Sequence, residues 1–88
     1  MRDFMLITHP AGRGTFPGSQ FLAHVRQALG AAKEAFPSIT WQADFPLGPQ
    51  DYVEVFSAPD EKTAREVATV VSTVGGIRAE VSPLRSAW

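Results

Sequence analysis

The stretch Trp41–Val81, WQADFPLGPQDYVEVFSAPDEKTAREVATVVSTVGGIRAEV, decides how this chain folds. From Ser38 to Phe45, Ile39, Trp41, Ala43 and Phe45 share one parity, and Thr40, Gln42 and Asp44 the other. That alternation describes a strand with one wet face. The run PLGPQ, Pro46 to Gln50, reads as a turn, and Asp51 to Phe56 (DYVEVF) as the second arm of a hairpin. The second arm has two faces, Val53 with Val55, and Tyr52 with Glu54 and Phe56. The valine parity is expected against the helices. The other three side chains are expected to face a second subunit.

Ala58-Pro59-Asp60-Glu61 starts a helix, because proline fits a first turn whose N–H groups have no intrahelical partner and two acids complement the positive end of the helix dipole. Ala64, Val67, Ala68, Val71 and Val74 form its apolar stripe, and Gly75-Gly76 ends it. Ile77, Ala79 and Val81 then alternate with Arg78, Glu80 and Ser82 in a last strand that Pro83 closes.

Upstream, Phe4 to Thr8 (FMLIT) is apolar on both parities, as a strand covered on both faces must be. His9-Pro10 ends it, and PAGRGTFPG from Pro10 to Gly18 is a loop. Its Gly-Arg-Gly step is either an anion nest completed by Arg13 or a plain connection. Ser19 is the expected N-cap of a helix to Phe36, with Phe21, Leu22, Val25, Ala28, Leu29, Ala32 and Phe36 on one stripe. His24, Arg26, Gln27 and Lys33 fall off that stripe toward water. Gly30-Ala31-Ala32 allows a close approach to a neighbour, and Pro37 stops the helix.

The order strand, helix, strand, strand, helix, strand is that of a ferredoxin-like β-α-β-β-α-β fold, α+β in class, with strands ordered 4-1-3-2 and both helices on one face of an antiparallel sheet. The two doubly apolar strands, first and third, fall at its centre, and the two one-sided strands at its edges. Helices on one face leave the other open. A second subunit is the expected cover, giving a homo-oligomer of dimeric α/β-barrel type.

Composition narrows the chemistry. Eighty-eight residues fit one domain, and a chain so small buries only roughly 60% of its unfolded surface when alone. With no cysteine and two isolated histidines, disulfides, thiolate chemistry and a structural metal are not expected, which leaves self-association. The net charge is −1 and the eight basic residues are scattered, so no nucleic-acid stripe is formed. The longest apolar run, Phe4 to Ile7, is too short for a membrane span, and a cytoplasmic protein with no nucleic-acid or membrane partner and no cofactor is expected.

Two residues are candidates for proton transfer. Glu54, set between Tyr52 and Phe56, is a carboxylate among aromatics whose charged form burial would disfavour, or it pairs with Arg78 or with water. His9 offers a near-neutral base at a strand end, or simply a solvated ring. Tyr52, Glu54, Phe56, Trp41 and Arg78 are the residues expected to line a small-molecule cavity between two sheets, and Trp41 and Trp88 serve either to stack a planar ligand or to pack.

The run WQADFPLGPQDYVEVFSAPD, with GGIRAEVSPLRSAW after the helix, resembles the GYD-domain family of small bacterial and archaeal proteins. The motif glycine falls on Gly48 and the motif aspartate on Asp51, while Gln50 stands where the family has its tyrosine. Tyr52 points to the opposite side from Asp51 and does not replace it. The resemblance implies a ferredoxin-like, dimeric α/β-barrel-type fold and no common activity. Three readings follow: an oligomeric domain binding a small molecule between two sheets; a cofactor-free isomerase or monooxygenase acting on a small aromatic or polyketide-like compound through Glu54 or His9; or a regulatory partner bound along an edge strand.

Overall fold

The computed structural model describes residues 1–10, 18–46 and 51–84. In chain order it contains β1 (Arg2–Pro10), α1 (Gly18–Ala35), β2 (Thr40–Pro46), β3 (Tyr52–Ala58), α2 (Glu61–Gly75) and β4 (Ile77–Pro83). The strands form one antiparallel sheet in the order β2-β3-β1-β4, the ferredoxin-like arrangement expected from the sequence. The Gly-Arg-Gly step around Arg13, read as an anion nest or a plain connection, the positions Gly48 and Gln50 of the GYD resemblance, and Trp88 lie outside the described residues.

One core holds the fold together. Phe4 and Leu6 of β1, Phe56 and Ala58 of β3 and Ile77 of β4 meet Phe21, Val25, Ala28, Leu29 and Ala32 of α1 and Ala64, Val67, Ala68 and Val71 of α2. Both helices therefore cover the same face. Phe4 and Phe56, paired across β1 and β3, stack with their ring centroids 5.9 Å apart, and Trp41 tilts onto Phe56 at 5.1 Å.

The ends of α2 are fixed by two residues. Asp60 is extended at φ −155° and accepts the Thr63 N–H at 2.8 Å, so it is the N-cap, and Pro59 stands before the helix rather than in its first turn. Gly76 closes the other end at φ 62°, donating its N–H to Ser72 O at 3.1 Å. Val74 leaves the expected stripe and is exposed. The helices approach at Gly75, where an added Cβ would lie 3.0 Å from the Ala28 Cβ. Gly30, expected at such a contact, has open space beside it. α1 already begins at Gly18, so Ser19 is inside its first turn and not its N-cap.

The faces of β3 are the reverse of the expectation. Residues directly opposite in an antiparallel ladder share a face. Phe4 is opposite Phe56, Leu6 opposite Glu54 and Thr8 opposite Tyr52, so Tyr52, Glu54 and Phe56 face the helices. Val53 and Val55 lie on the open face, opposite Ile7 and Met5. Apolarity misled because Val53 and Val55 have apolar neighbours in register within the sheet itself, without any helix over them. Val53 is buried on the open face, where Ile7 of β1 and Phe45 of β2 flank it in register.

β2 carries a second departure. Trp41 pairs with Phe56 and Ala43 with Val55, so the ladder slips by one residue at Gln42. A bulge of this kind reverses the alternation beyond it. Ile39 and Trp41 keep the helix side, but Asp44 joins them opposite Glu54, and Phe45 moves to the open face opposite Val53. The bulged Gln42 is held by its amide, which donates to Asp3 Oδ1 at 2.9 Å and also to the Ser57 hydroxyl.

Candidate functional site

Reversed faces bring an acid, a second acid and a phenol under α1. Asp44, Tyr52 and Glu54 line a cavity of about 350 Å³ with Leu22, Val25, Arg26, Leu29, Gly30 and Lys33. A second hollow of about 190 Å³ adjoins it and shares Lys33, Asp44 and Glu54, adding Trp41, Gln42 and Ala43. The helix forms one wall through residues three and four apart, and the β2–β3 ladder forms the other.

Glu54 lies at the inner end. It is 3% exposed, and among the described residues no hydrogen bond reaches its carboxyl. Burial, followed by the negative charge of Asp44, pushes its pKa up to about 7, while the Lys33 ammonium acts the other way. Burial also raises the Tyr52 phenol, with Asp44 and Glu54 adding to the shift and Arg26 opposing it. Lys33 itself lies over the Trp41 ring, its Nζ 5.5 Å from the centroid. The Trp41 Nε1–H is buried and has no hydrogen-bond partner among the described residues.

The expected site residues divide as follows. Glu54, Tyr52 and Trp41 line these hollows, but they do so within one chain, between helix and sheet, rather than between two sheets. Phe56 is fully buried in the core and lines neither. Arg78 is on the open face beside His9, across the sheet from Glu54, so the two do not pair; its guanidinium is 3.8 Å from Glu80 instead. His9, the other proton-transfer candidate, is likewise on the open face, with Nδ1 3.7 Å from Asp51 and Nε2 3.7 Å from Glu80. Glu54 and His9 cannot act on one substrate in one chain. Asp51, which the GYD resemblance singles out, is part of this His9 cluster and does not line the cavity.

Spacing alone assigns Asp44, Arg26 and Lys33 to solvent. Arg26 and Lys33 are indeed exposed, but their stems run along the cavity rim. The signal for Asp44 was hidden by the bulge, since strict alternation puts it on the opposite face. Among the described residues, no group of three or more His, Cys, Asp or Glu side chains is placed to hold a metal ion. No described helix is long and apolar enough to cross a membrane.

No family model matches the chain, and no curated protein matches it. Solved structures do. A REP-associated tyrosine transposase bound to a REP hairpin is similar over 98% of this chain, at 15% identity and a TM-score of 0.60, and this chain spans 58% of the transposase's length. The uncharacterized protein TM1266 from Thermotoga maritima is similar over 96% of this chain and 98% of its own, at 17% identity and a TM-score of 0.52. Likeness at these identities establishes the fold and carries no activity across.

Proposed function

We propose that this protein is a cytoplasmic small-molecule-binding domain of the GYD type, with its ligand seated between α1 and the β2–β3 ladder against Glu54. The observation that carries the reading is Glu54 itself. Glu54 is 3% exposed as a residue, its carboxyl has no hydrogen bond among the described residues, and it lines a cavity of about 350 Å³, so a donor on a ligand that enters can bond it. Thermal-shift and NMR screening of polar one-ring compounds against the wild type and Glu54→Gln tests this. Hits that move cavity amides only when Glu54 is present support the reading, and hits indifferent to Glu54 oppose it.

Self-association belongs to the same proposal. The open face carries Met5, Ile7, Val53, Val55, Ala43 and Phe45 in register, and the apolar strip is bounded by the Asp3–Gln42–Ser57 network at one end and the His9–Asp51–Glu80 cluster at the other. An apolar strip with a polar rim suits a second copy of the chain packed face to face. Sedimentation at micromolar concentration reads it directly: a dimer is expected, and a monomer removes it.

One observation favours a second, enzymatic reading. A carboxyl with its pKa at about 7 is poised to take and return a proton at neutral pH. That suits a cofactor-free isomerase of small aromatic or polyketide-like compounds, with Glu54 as the base and Tyr52 or Lys33 beside the developing oxyanion. Solvent deuterium entering an aromatic β-diketone, and failing to enter with Glu54→Gln, is the expected result for the enzyme.

A further inference from the structure

The cavity under α1 has an uneven distribution of charge, and that unevenness bears on what it takes. Its most buried polar residue is Glu54, 3% exposed, whose carboxyl has no hydrogen bond among the described residues. Once ionised, the carboxylate only accepts hydrogen bonds, and the partner that form lacks is a donor. Asp44 stands directly across the β2–β3 ladder and adds a second acceptor on the same wall. The floor beneath them is apolar, formed by Leu22, Val25 and Leu29 of α1.

The cations are placed differently. Arg26 and Lys33 are exposed on long stems that line the cavity. The Lys33 ammonium is drawn over the Trp41 ring, 5.5 Å from its centroid, so the hollow next to Glu54 already attracts a positive group from the protein's own chain. An anion entering the cavity would instead have to come to rest beside two carboxyls.

Resting on the reading of this cavity as a ligand site, we propose that it takes a small organic cation, an amine or amidine. The protonated nitrogen bonds the Glu54 carboxylate, with Asp44 as second acceptor, and the apolar body lies on Leu22, Val25 and Leu29. A volume of about 350 Å³ limits the ligand to about the size of one substituted ring. The groups facing Glu54 are Lys33 and Arg26 from α1, Asp44 from β2 and Tyr52 on its own strand, while its β1 partner, Leu6, is apolar. A bound cation therefore requires Glu54 to be ionised. With its pKa at about 7, the ionised fraction rises about tenfold between pH 6 and pH 8.

The test is an NMR titration of the 88-residue chain with three isosteric probes, benzamidine, benzamide and benzoate, at pH 6 and pH 8. Benzamidine is expected to move the amides of Leu22 to Gly30 and of Tyr52 to Glu54, and to bind about tenfold more tightly at pH 8. Glu54→Gln should abolish that pH dependence and most of the affinity. Asp44→Asn, at the exposed rim, should weaken benzamidine severalfold without disturbing the fold. Benzamide or benzoate binding in the cavity in preference to benzamidine would overturn the cationic class and leave the site standing. If none of the three moves a cavity amide, both the class and the site are refuted.

Discussion

Asp44 lies directly across the β2–β3 ladder from Glu54, and the two carboxyls share the helix-facing side of the sheet. Like charges opposite one another in a sheet are destabilising, and burial of one of them makes the pairing worse. The chain accommodates the pair by letting Glu54 keep its proton to about pH 7.

Stability should therefore depend on pH through Glu54. The folded pKa is raised from 4.5 to about 7, so Glu54 favours the fold fully below pH 4.5 and loses that contribution as pH rises through 7. The difference corresponds to about 3 kcal/mol at pH 8, as an upper figure. Glutamine cannot ionise, so Glu54→Gln should match the wild type near pH 4 and exceed it at pH 8. Urea denaturation of both proteins at the two pH values measures this. Parallel pH profiles would show that Glu54 is ionised and solvated in the fold.

The two faces of β3 should respond differently to substitution. Phe56 is fully buried between Phe4 and Trp41, and Phe56→Ala should cost about 3–5 kcal/mol of stability. Val55 is on the open face opposite Met5, where Val55→Asp should leave the chain folded and shift the sedimentation of any dimer to the monomer. Circular dichroism with sedimentation on both variants separates the two outcomes. Unfolding by Val55→Asp at a mild cost for Phe56→Ala would mean that the valines face the helices.

How far the fold could be read from residues is visible on these same strands. Two-sided apolarity located β1 and β3 at the centre of the sheet, and the turn and cap residues located the elements to within about two residues. Which side of β3 met the helices was not legible, because Val53 is buried by its strand neighbours on the face without helices. Glu54, set between two aromatics, is legible as a carboxyl whose charged form burial disfavours, but the cover is α1 and not a second subunit. Its neighbours were missed for a geometric reason: the bulge at Gln42 turns Asp44 over, and no local pattern in TWQADFP announces a one-residue slip. Arg78 is a possible partner of Glu54 by sequence only because alternation alone does not fix which face of the sheet each strand's parity takes.

The bulge has its own polar anchor. Ser57 Oγ donates to Asp3 Oδ1 at 2.6 Å, and the Gln42 amide donates to the same oxygen, tying β2, β3 and β1 together on the open face. The Ser57 hydrogen bond, then that from Gln42, holds the Asp3 carboxyl below its usual value. Ser57→Ala should raise the Asp3 pKa toward 3.8, as read from its side-chain carbon shift in a pH titration. With the depressed value, the network favours the fold above the ordinary pKa and is lost as pH falls. An Asp3 pKa unmoved by Ser57→Ala would show that the hydroxyl does not hold the carboxylate in solution.

Two glycines should respond to alanine with opposite sign. Gly76 caps α2 at φ 62°, in the left-handed region where a side chain is strained, so Gly76→Ala should destabilise by about 1–2 kcal/mol. Gly30 is inside α1, and an added Cβ there meets nothing within 4 Å. Gly30→Ala should stabilise by about 1 kcal/mol, because alanine gives up less backbone freedom in a helix. Gly30 also lines the cavity, so the added methyl narrows it and should weaken any ligand while raising the urea midpoint. A raised midpoint with unchanged ligand affinity would place the bound molecule away from the α1 wall.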